Sequence, residues 1–178
     1  MVNTLKINVG KLKNVKLAFE NISITENIEA KSYGYPEIKP ASPFTLVGKI
    51  ENLGDCLELE GRVSGSLELV CIRCLEPFQM DFDVDVFEIY TNHPEIAEAD
   101  EYEETNLFNG DEIDLTPQIL KQVFLEIPMK ILCKPDCLGL CSQCGANLNQ
   151  GECGCDRDDI DIRFADLKDL LNSMNKEV

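Results

Sequence analysis

Hydrophobic and polar positions alternate with period two along much of the first ninety residues, and the period then changes to that of a helix. Leu5, Ile7 and Val9 alternate with polar residues, as do Val15, Leu17 and Phe19, which predicts two half-buried strands. The stretch from Tyr33 to Pro43 holds three prolines and reads as a connection. A meander is expected next. Leu46, Gly48 and Ile50 share a face before a turn at Asn52-Leu53-Gly54-Asp55. Leu57, Leu59, Gly61 and Val63 share the next face, before a turn at Ser64-Gly65, and Leu67, Leu69 and Cys71 come after it. Met80, Phe82, Val84 and Val86 against Asp81, Asp83 and Asp85 form the cleanest alternation in the chain. The sheet is therefore expected to bury one face and turn a strongly acidic one to water.

Thr116-Pro117 reads as an N-cap followed by proline at the first helical position. Ile119, Leu120, Val123, Phe124 and Ile127 then fall on one helical face until Pro128 ends it, so a helix at about 117–127 should pack on the sheet. Phe164, Leu167, Leu170, Leu171 and Met174 predict a short final amphipathic helix, which needs tertiary support and suits a docking face on its own protein. The fold class expected is α+β: a β-rich antiparallel meander with a packed helix and a C-terminal cysteine-rich segment. Residues 1–132 make the β-rich domain, with an acidic loop at about 92–112, and residues 133–178 the cysteine-rich segment and last helix.

Cysteine supplies the candidate chemistry. Eight of nine cysteines form four close pairs, Cys71/Cys74, Cys133/Cys137, Cys141/Cys144 and Cys153/Cys155, leaving Cys56 over. Such pairs place two sulfurs on one tight turn, and two turns make a closed tetrahedral thiolate site. Met1 to Phe19 reads as neither a signal peptide nor a membrane span, so a cytoplasmic, thiol-reducing setting is expected, where clustered cysteines are metal ligands rather than disulfides. Two structural zinc ions are the expected cofactors. Catalytic zinc keeps an open position and usually draws on histidine or carboxylate, whereas the one histidine, His93, lies far along the chain from every cysteine and reads as a loop residue. Cys141, Cys144, Cys153 and Cys155 lie within fifteen residues and make a natural local site. Cys133 and Cys137 either join Cys71 and Cys74 or compete for the local site, leaving Cys71 and Cys74 as core thiols. The two-plus-two ligand count favours the first.

The 44% hydrophobic content is ordinary for a globular chain, but the net charge of −17 is not. From Cys74 to Leu120 there are fourteen acidic residues and no lysine or arginine. Within that stretch Glu98, Asp100, Glu101, Glu103 and Glu104 are the candidate partner-binding residues. Most of such a surface would repel a phosphate backbone.

Cys71-Ile-Arg-Cys74-Leu75-Glu76, Leu125-Glu126-Ile127-Pro128, the run from Cys133 through Cys141 to Asn149, Cys153-Gly154-Cys155 and Asp161-Ile162-Arg163 together resemble the YceD-like proteins, from about Leu46 to Leu171. These are bacterial and plastid proteins associated with accumulation of large-subunit ribosomal RNA, typically encoded beside a small zinc-containing ribosomal protein. The resemblance implies ribosome biogenesis and no enzymatic reaction. The reading is of a non-enzymatic accessory factor whose acidic surface holds a basic large-subunit ribosomal protein or assembly factor, with no membrane or small-molecule substrate. The alternative is direct binding of ribosomal RNA through Lys6, Lys11, Lys13 and Lys16 or the zinc knuckles. A thiol redox enzyme or a nuclease is the third class, but the first wants a thioredoxin-like setting and the second a patterned carboxylate cluster.

Overall fold

The computed structural model describes residues 4–99 and 105–155. Four antiparallel strands carry the fold: β2 (Phe19–Glu26), β3 (Phe44–Asn52), β4 (Leu57–Val70) and β5 (Pro77–Thr91), paired in chain order. A two-residue strand, β6 (Asn106–Leu107), adds to β5 in parallel, and β1 (Lys6–Asn8) pairs antiparallel with β7 (Glu112–Asp114) in a separate two-stranded ribbon. Two helices, α1 (Pro94–Ala99) and α2 (Thr116–Glu126), complete the α+β architecture. No helix among the described residues is long and apolar enough to cross a membrane.

Period-two burial builds the core. Leu46 and Ile50 of β3, Leu59 and Val63 of β4, and Phe82 and Val86 of β5 point inward and are buried. Ile7, Ile113 and the α2 side chains Ile119, Leu120 and Val123 close over them in one apolar cluster. The opposite face is more varied than the aspartate run of β5 suggested. Register sets Lys49 beside Glu60 and Arg62 beside Asp85, so two cations stand among the carboxylates, with Phe19, Val47 and Phe87 exposed between them. Lys49 pairs with Glu51 at 2.6 Å, and the Arg62 guanidinium reaches Asp85 at 2.9 Å and Asp83 at 3.4 Å. The Arg62 pairs are exposed and the Lys49–Glu51 pair half-buried, and such surface pairs contribute little to stability.

Three local expectations are corrected. Val15, Leu17 and Phe19 do not form one strand: Leu17 is left-handed (φ 62°), all three are exposed, and β2 starts only at Phe19. Ser64-Gly65 is not a turn, because β4 runs unbroken for fourteen residues. Gly65 is there for space: a Cβ would stand 2.9 Å from the Phe82 ring and 3.1 Å from the Phe44 ring, which meet edge to face at 4.8 Å between centroids. Thr116 does not cap α2 from outside. It is the helix's first residue, its backbone N–H donates to Asp114 Oδ1 at 3.0 Å, and its hydroxyl accepts from Leu5 N at 2.9 Å. The threonine thus ties β1 to the helix while Asp114 takes the capping role.

The segment expected as an acidic loop carries α1, β6 and β7. Glu88, buried on the inner face of β5, accepts from the Asn106 amide at 2.9 Å and the Gln122 amide at 3.3 Å, which joins β5, β6 and α2. Asp100, Glu101, Glu103 and Glu104 lie outside the described residues, as does the predicted helix over 164–174.

Candidate metal centres

The loop between β4 and β5 is itself the first knuckle. Val70 pairs with Pro77, and the intervening residues fold back so that Cys71 N donates to Glu76 O at 3.0 Å and Leu75 N to Cys71 O at 2.9 Å. Leu75 takes a left-handed conformation (φ 59°) to close that turn. The knuckle at Cys141 repeats the pattern: Cys141 N donates to Ala146 O at 2.8 Å and Gly145 N to Cys141 O at 2.9 Å, with Gly145 at φ 73°. Both turns aim their paired sulfurs to one side.

The structure brings the eight sulfurs into two groups. Cys71, Cys74, Cys133 and Cys137 form an inner cluster, and Cys141, Cys144, Cys153 and Cys155 an outer one. In each, every sulfur lies within 4.8 Å of the others. In the inner cluster Cys71 and Cys137 are 3.7 Å apart, as are Cys74 and Cys133. A disulfide would require about 2.05 Å. Four sulfurs held about 2.3 Å from one ion at tetrahedral angles stand about 3.8 Å apart, so these two edges of the inner cluster already have the length found in a four-thiolate metal site. Both clusters could hold a metal ion. Cys56 stands alone and half-buried, and His93 faces Glu95 at 3.5 Å.

The groups differ in surroundings. Cys71, Cys74 and Cys137 are buried beside Leu132, Leu140 and Phe78, whereas Cys144 is exposed. Burial pushes the Cys71 thiol up, but N–H groups of Cys74, Cys133 and Arg73 outweigh it and bring the pKa down to about 6. Burial and the neighbouring thiols Cys74 and Cys137 push Cys133 up to about 12. The outer cluster repeats the contrast: N–H groups of Cys144 and Gln143 lower Cys141 to about 6, and the thiols of Cys144 and Cys153 raise Cys155 to about 12. Several thiolates crowded together in either group are opposed by like charge unless a cation sits among them.

Residues that spacing did not assign join the clusters. Asn149, in the outer segment, donates its amide to Cys137 Sγ at 3.4 Å while its Oδ1 accepts from Leu138 N at 2.9 Å. Burial raises the Cys137 thiol, but that amide and the Gly139 N–H bring it below the usual value. Arg73 Nη1 donates to Cys137 O at 2.8 Å, and Leu140 N donates to Arg73 O at 3.1 Å. A Cβ on Gly139 would stand 3.1 Å from Arg73 O, so this close approach favours glycine. The Asn147-Leu148-Asn149 run was the available signal: short amides in a glycine-rich turn are suited to donate to sulfur and backbone alike.

Of the partner-surface candidates, Glu98 lies exposed on α1. Lys13 is held by Asp111 at 2.6 Å and Gly110 O at 2.8 Å, and Lys6 sits opposite Asp114 in the β1–β7 register. Lys11 and Lys16 are exposed.

Sheet and clusters define a β-meander protein with two four-cysteine centres, one built on a hairpin loop and one on a glycine- and asparagine-rich segment. The profile of the family described as large ribosomal RNA subunit accumulation protein YceD matches residues 59–171, which takes in all but the first two residues of β4, with β5, α2 and every clustered cysteine. The chain belongs to this family. It is 34% identical over 125 residues to an uncharacterized protein of Mycobacterium bovis, covering 69% of this chain and 59% of that one. It is 38% identical over 66 residues to the chloroplastic YCED homolog 1 of Arabidopsis thaliana, a large ribosomal RNA subunit accumulation protein, covering 37% of this chain and 21% of that one. An uncharacterized Bacillus subtilis protein is 26% identical over 100 residues, 56% of this chain and 57% of its own. The chain thus spans 59% of the length of the mycobacterial relative. No solved structure matches it.

Proposed function

We propose that the chain is a non-enzymatic accessory factor in large ribosomal subunit biogenesis, stabilised by two structural zinc ions and acting through an acidic protein-binding surface. The observation that carries this reading is the family match, whose description concerns large-subunit ribosomal RNA and whose extent includes both cysteine clusters. Thiolate donors suit zinc, and four of them around one ion leave no vacancy for a reacting water. Cys71, Cys74, Cys133 and Cys137 would hold one ion and Cys141, Cys144, Cys153 and Cys155 the other. The metal's role is then to fasten the fold.

For the surface, the charge pattern favours a cationic protein over RNA. Glu98, Asp100, Glu101, Glu103 and Glu104 fall in a stretch without a basic residue, and Asp81, Asp83 and Asp85 are exposed along β5. Such a field speeds encounter with a basic partner and opposes a phosphate backbone. Of the four N-terminal lysines, Lys13 is already engaged by Asp111 and Lys6 stands opposite Asp114. The test is binding to purified basic large-subunit ribosomal proteins and to ribosomal RNA across a salt series. Neutralising Glu98, Asp100, Glu101, Glu103 and Glu104 to amides should slow association with the protein partner, and Lys11→Glu, Lys13→Glu, Lys16→Glu should matter less. Loss of binding in the lysine variant alone, with RNA competing and a steep salt slope, assigns the chain to direct RNA binding instead.

A further inference from the structure

A groove of about 310 Å³ runs between β1 and β2. Ile7 and Val9 of β1, Ile22 and Ile24 of β2 and Ile50 of β3 line it, and Glu20 is the charged residue among its described lining. β2 is the edge of the five-stranded sheet, and among the described residues no strand pairs with its outer side. The direction of its backbone groups follows from the bonds at its start. Leu17 N donates to Asn52 O at 2.7 Å, and Asn52 N donates to Ala18 O at 2.9 Å. Bonded pairs in an antiparallel ladder recur at every second residue, so Glu20, Ile22, Ile24 and Glu26 bond through their backbone to β3. Phe19, Asn21, Ser23 and Thr25 turn theirs to the open side.

Natural edge strands are commonly kept very short, bulged, or given lysine or proline, which stops other chains from pairing with them. β2 has eight residues, no lysine and no proline, and pairs with β3 in unbroken register. Its groove-lining Ile22 and Ile24 are only half-buried. We infer that this groove takes an extended segment of a basic partner protein, which adds to β2 as a further strand.

One row of β2 side chains sets the chemistry of that segment. Glu20, Ile22, Ile24 and Glu26 alternate with Asn21, Ser23 and Thr25, so two apolar residues stand between two carboxylates on one face. Cross-strand neighbours stabilise a sheet when apolar meets apolar and charge meets opposite charge. The matching strand therefore carries two apolar residues at alternate positions, flanked by lysine or arginine. Nearby cations do not cancel the row: Lys6 stands opposite Asp114, and Lys49 bonds to Glu51 at 2.6 Å. A second copy of the chain fits worse. Two β2 strands related by a twofold axis at Ser23 would set Glu20 of each copy against Glu26 of the other, and an axis at Ile22 would set Glu20 against Ile24. The net charge of −17 adds a general repulsion between copies. β2 lies outside residues 59–171, so this edge is not part of the unit the family profile matches. The inference goes beyond the proposed function and depends on neither a ribosomal partner nor the identity of the metal.

Hydrogen exchange on the full, metal-loaded chain tests it, with a short synthetic peptide as the probe. The peptide has two valines at alternate positions, a lysine two positions outside each, and threonine elsewhere. In the free chain the amides of Asn21, Ser23 and Thr25 should exchange fast and those of Ile22 and Ile24 slowly. Saturating peptide should slow the first three by about tenfold or more and leave the other two unchanged, the alternation expected of a strand added at the open side. Ser23→Pro removes a donor aimed away from β3 and should abolish peptide binding. Because proline could disturb the strand, Glu20→Lys with Glu26→Lys is the second change. It should weaken the lysine peptide by about tenfold and make the same peptide with glutamate in place of lysine the better ligand. Lack of saturable binding, slow exchange of Asn21, Ser23 and Thr25 in the free chain, or binding that survives both changes would overturn the inference. Slowing that appears without peptide as protein concentration rises would overturn it as well, since the occupant would then be a second copy.

Discussion

Cys74→Ser removes one sulfur from the inner cluster and should be far more damaging than Cys144→Ser in the outer one. A metal shared by four thiolates constrains the unfolded chain as a cross-link does. Cys74 and Cys133 are 59 residues apart in sequence, and closing a loop of that length is worth about 4 kcal/mol by chain entropy. Cys144 and Cys153 are nine apart, which gives about 2.5 kcal/mol on the same scale. Location widens the difference. The inner cluster joins the β4–β5 loop to the chain beyond α2, so its loss is felt by the whole sheet, whereas the outer cluster orders mainly its own segment. Total stability for a domain is only about 5–15 kcal/mol. The chain contains no tryptophan, so the assay is denaturant unfolding followed by far-ultraviolet circular dichroism of the zinc-loaded protein. Cys74→Ser should lower the unfolding free energy of the sheet by about 4 kcal/mol. Cys144→Ser should lower it by under about 1 kcal/mol, the scale of a locally absorbed change. Equal losses, or none in Cys74→Ser, would refute the division into a global and a local site.

Asn149→Leu removes an N–H donor to the Cys137 sulfur and should weaken zinc retention at the inner site by about 10-fold or more, read by competition with a chelator. Gly145→Val forces a β-branched residue to φ 73° and should cost the outer site about 1–2 kcal/mol of metal affinity. Leu75→Gly in the equivalent turn should stay within about 1 kcal/mol of the parent, because relief of its φ 59° conformation is offset by the freer unfolded chain. Gly65→Ala should destabilise the sheet by about 1–3 kcal/mol, seen as a lower denaturation midpoint, since its methyl meets the Phe82 and Phe44 rings.

Much of the fold was legible because strand and helix periods depend on neighbours close in sequence. Met80 to Val86 alternated as β5 does, and of the predicted α2 stripe Ile119, Leu120 and Val123 are buried, whereas Phe124 is exposed and Ile127 lies just past the helix end. Where the reading failed, a distant contact decided. Gly65 resembled a turn residue, but its role is set by Phe82 and Phe44 across the core. Of the alternating Val15, Leu17 and Phe19 only Phe19 reaches the sheet, as the first residue of β2, while β1 found its partner in β7 about a hundred residues on. Cysteine spacing marked all eight sulfurs and the two-plus-two ligand count favoured the division found, though the contact that makes it is the β4–β5 loop meeting the chain after α2. The Asn147-Leu148-Asn149 run marked a turn able to donate to sulfur, but that Asn149 reaches Cys137 of the inner cluster needed three dimensions.

Native mass spectrometry of the protein purified under reducing conditions, with elemental analysis of the same sample, addresses the two-centre account most directly. The account predicts two zinc ions per chain, no disulfide, and one zinc lost in Cys71→Ser with Cys74→Ser while the other stays on the outer cluster. A single zinc unaffected by that double substitution would contradict it, because the inner four thiols would then be packing groups and only the outer ones ligands.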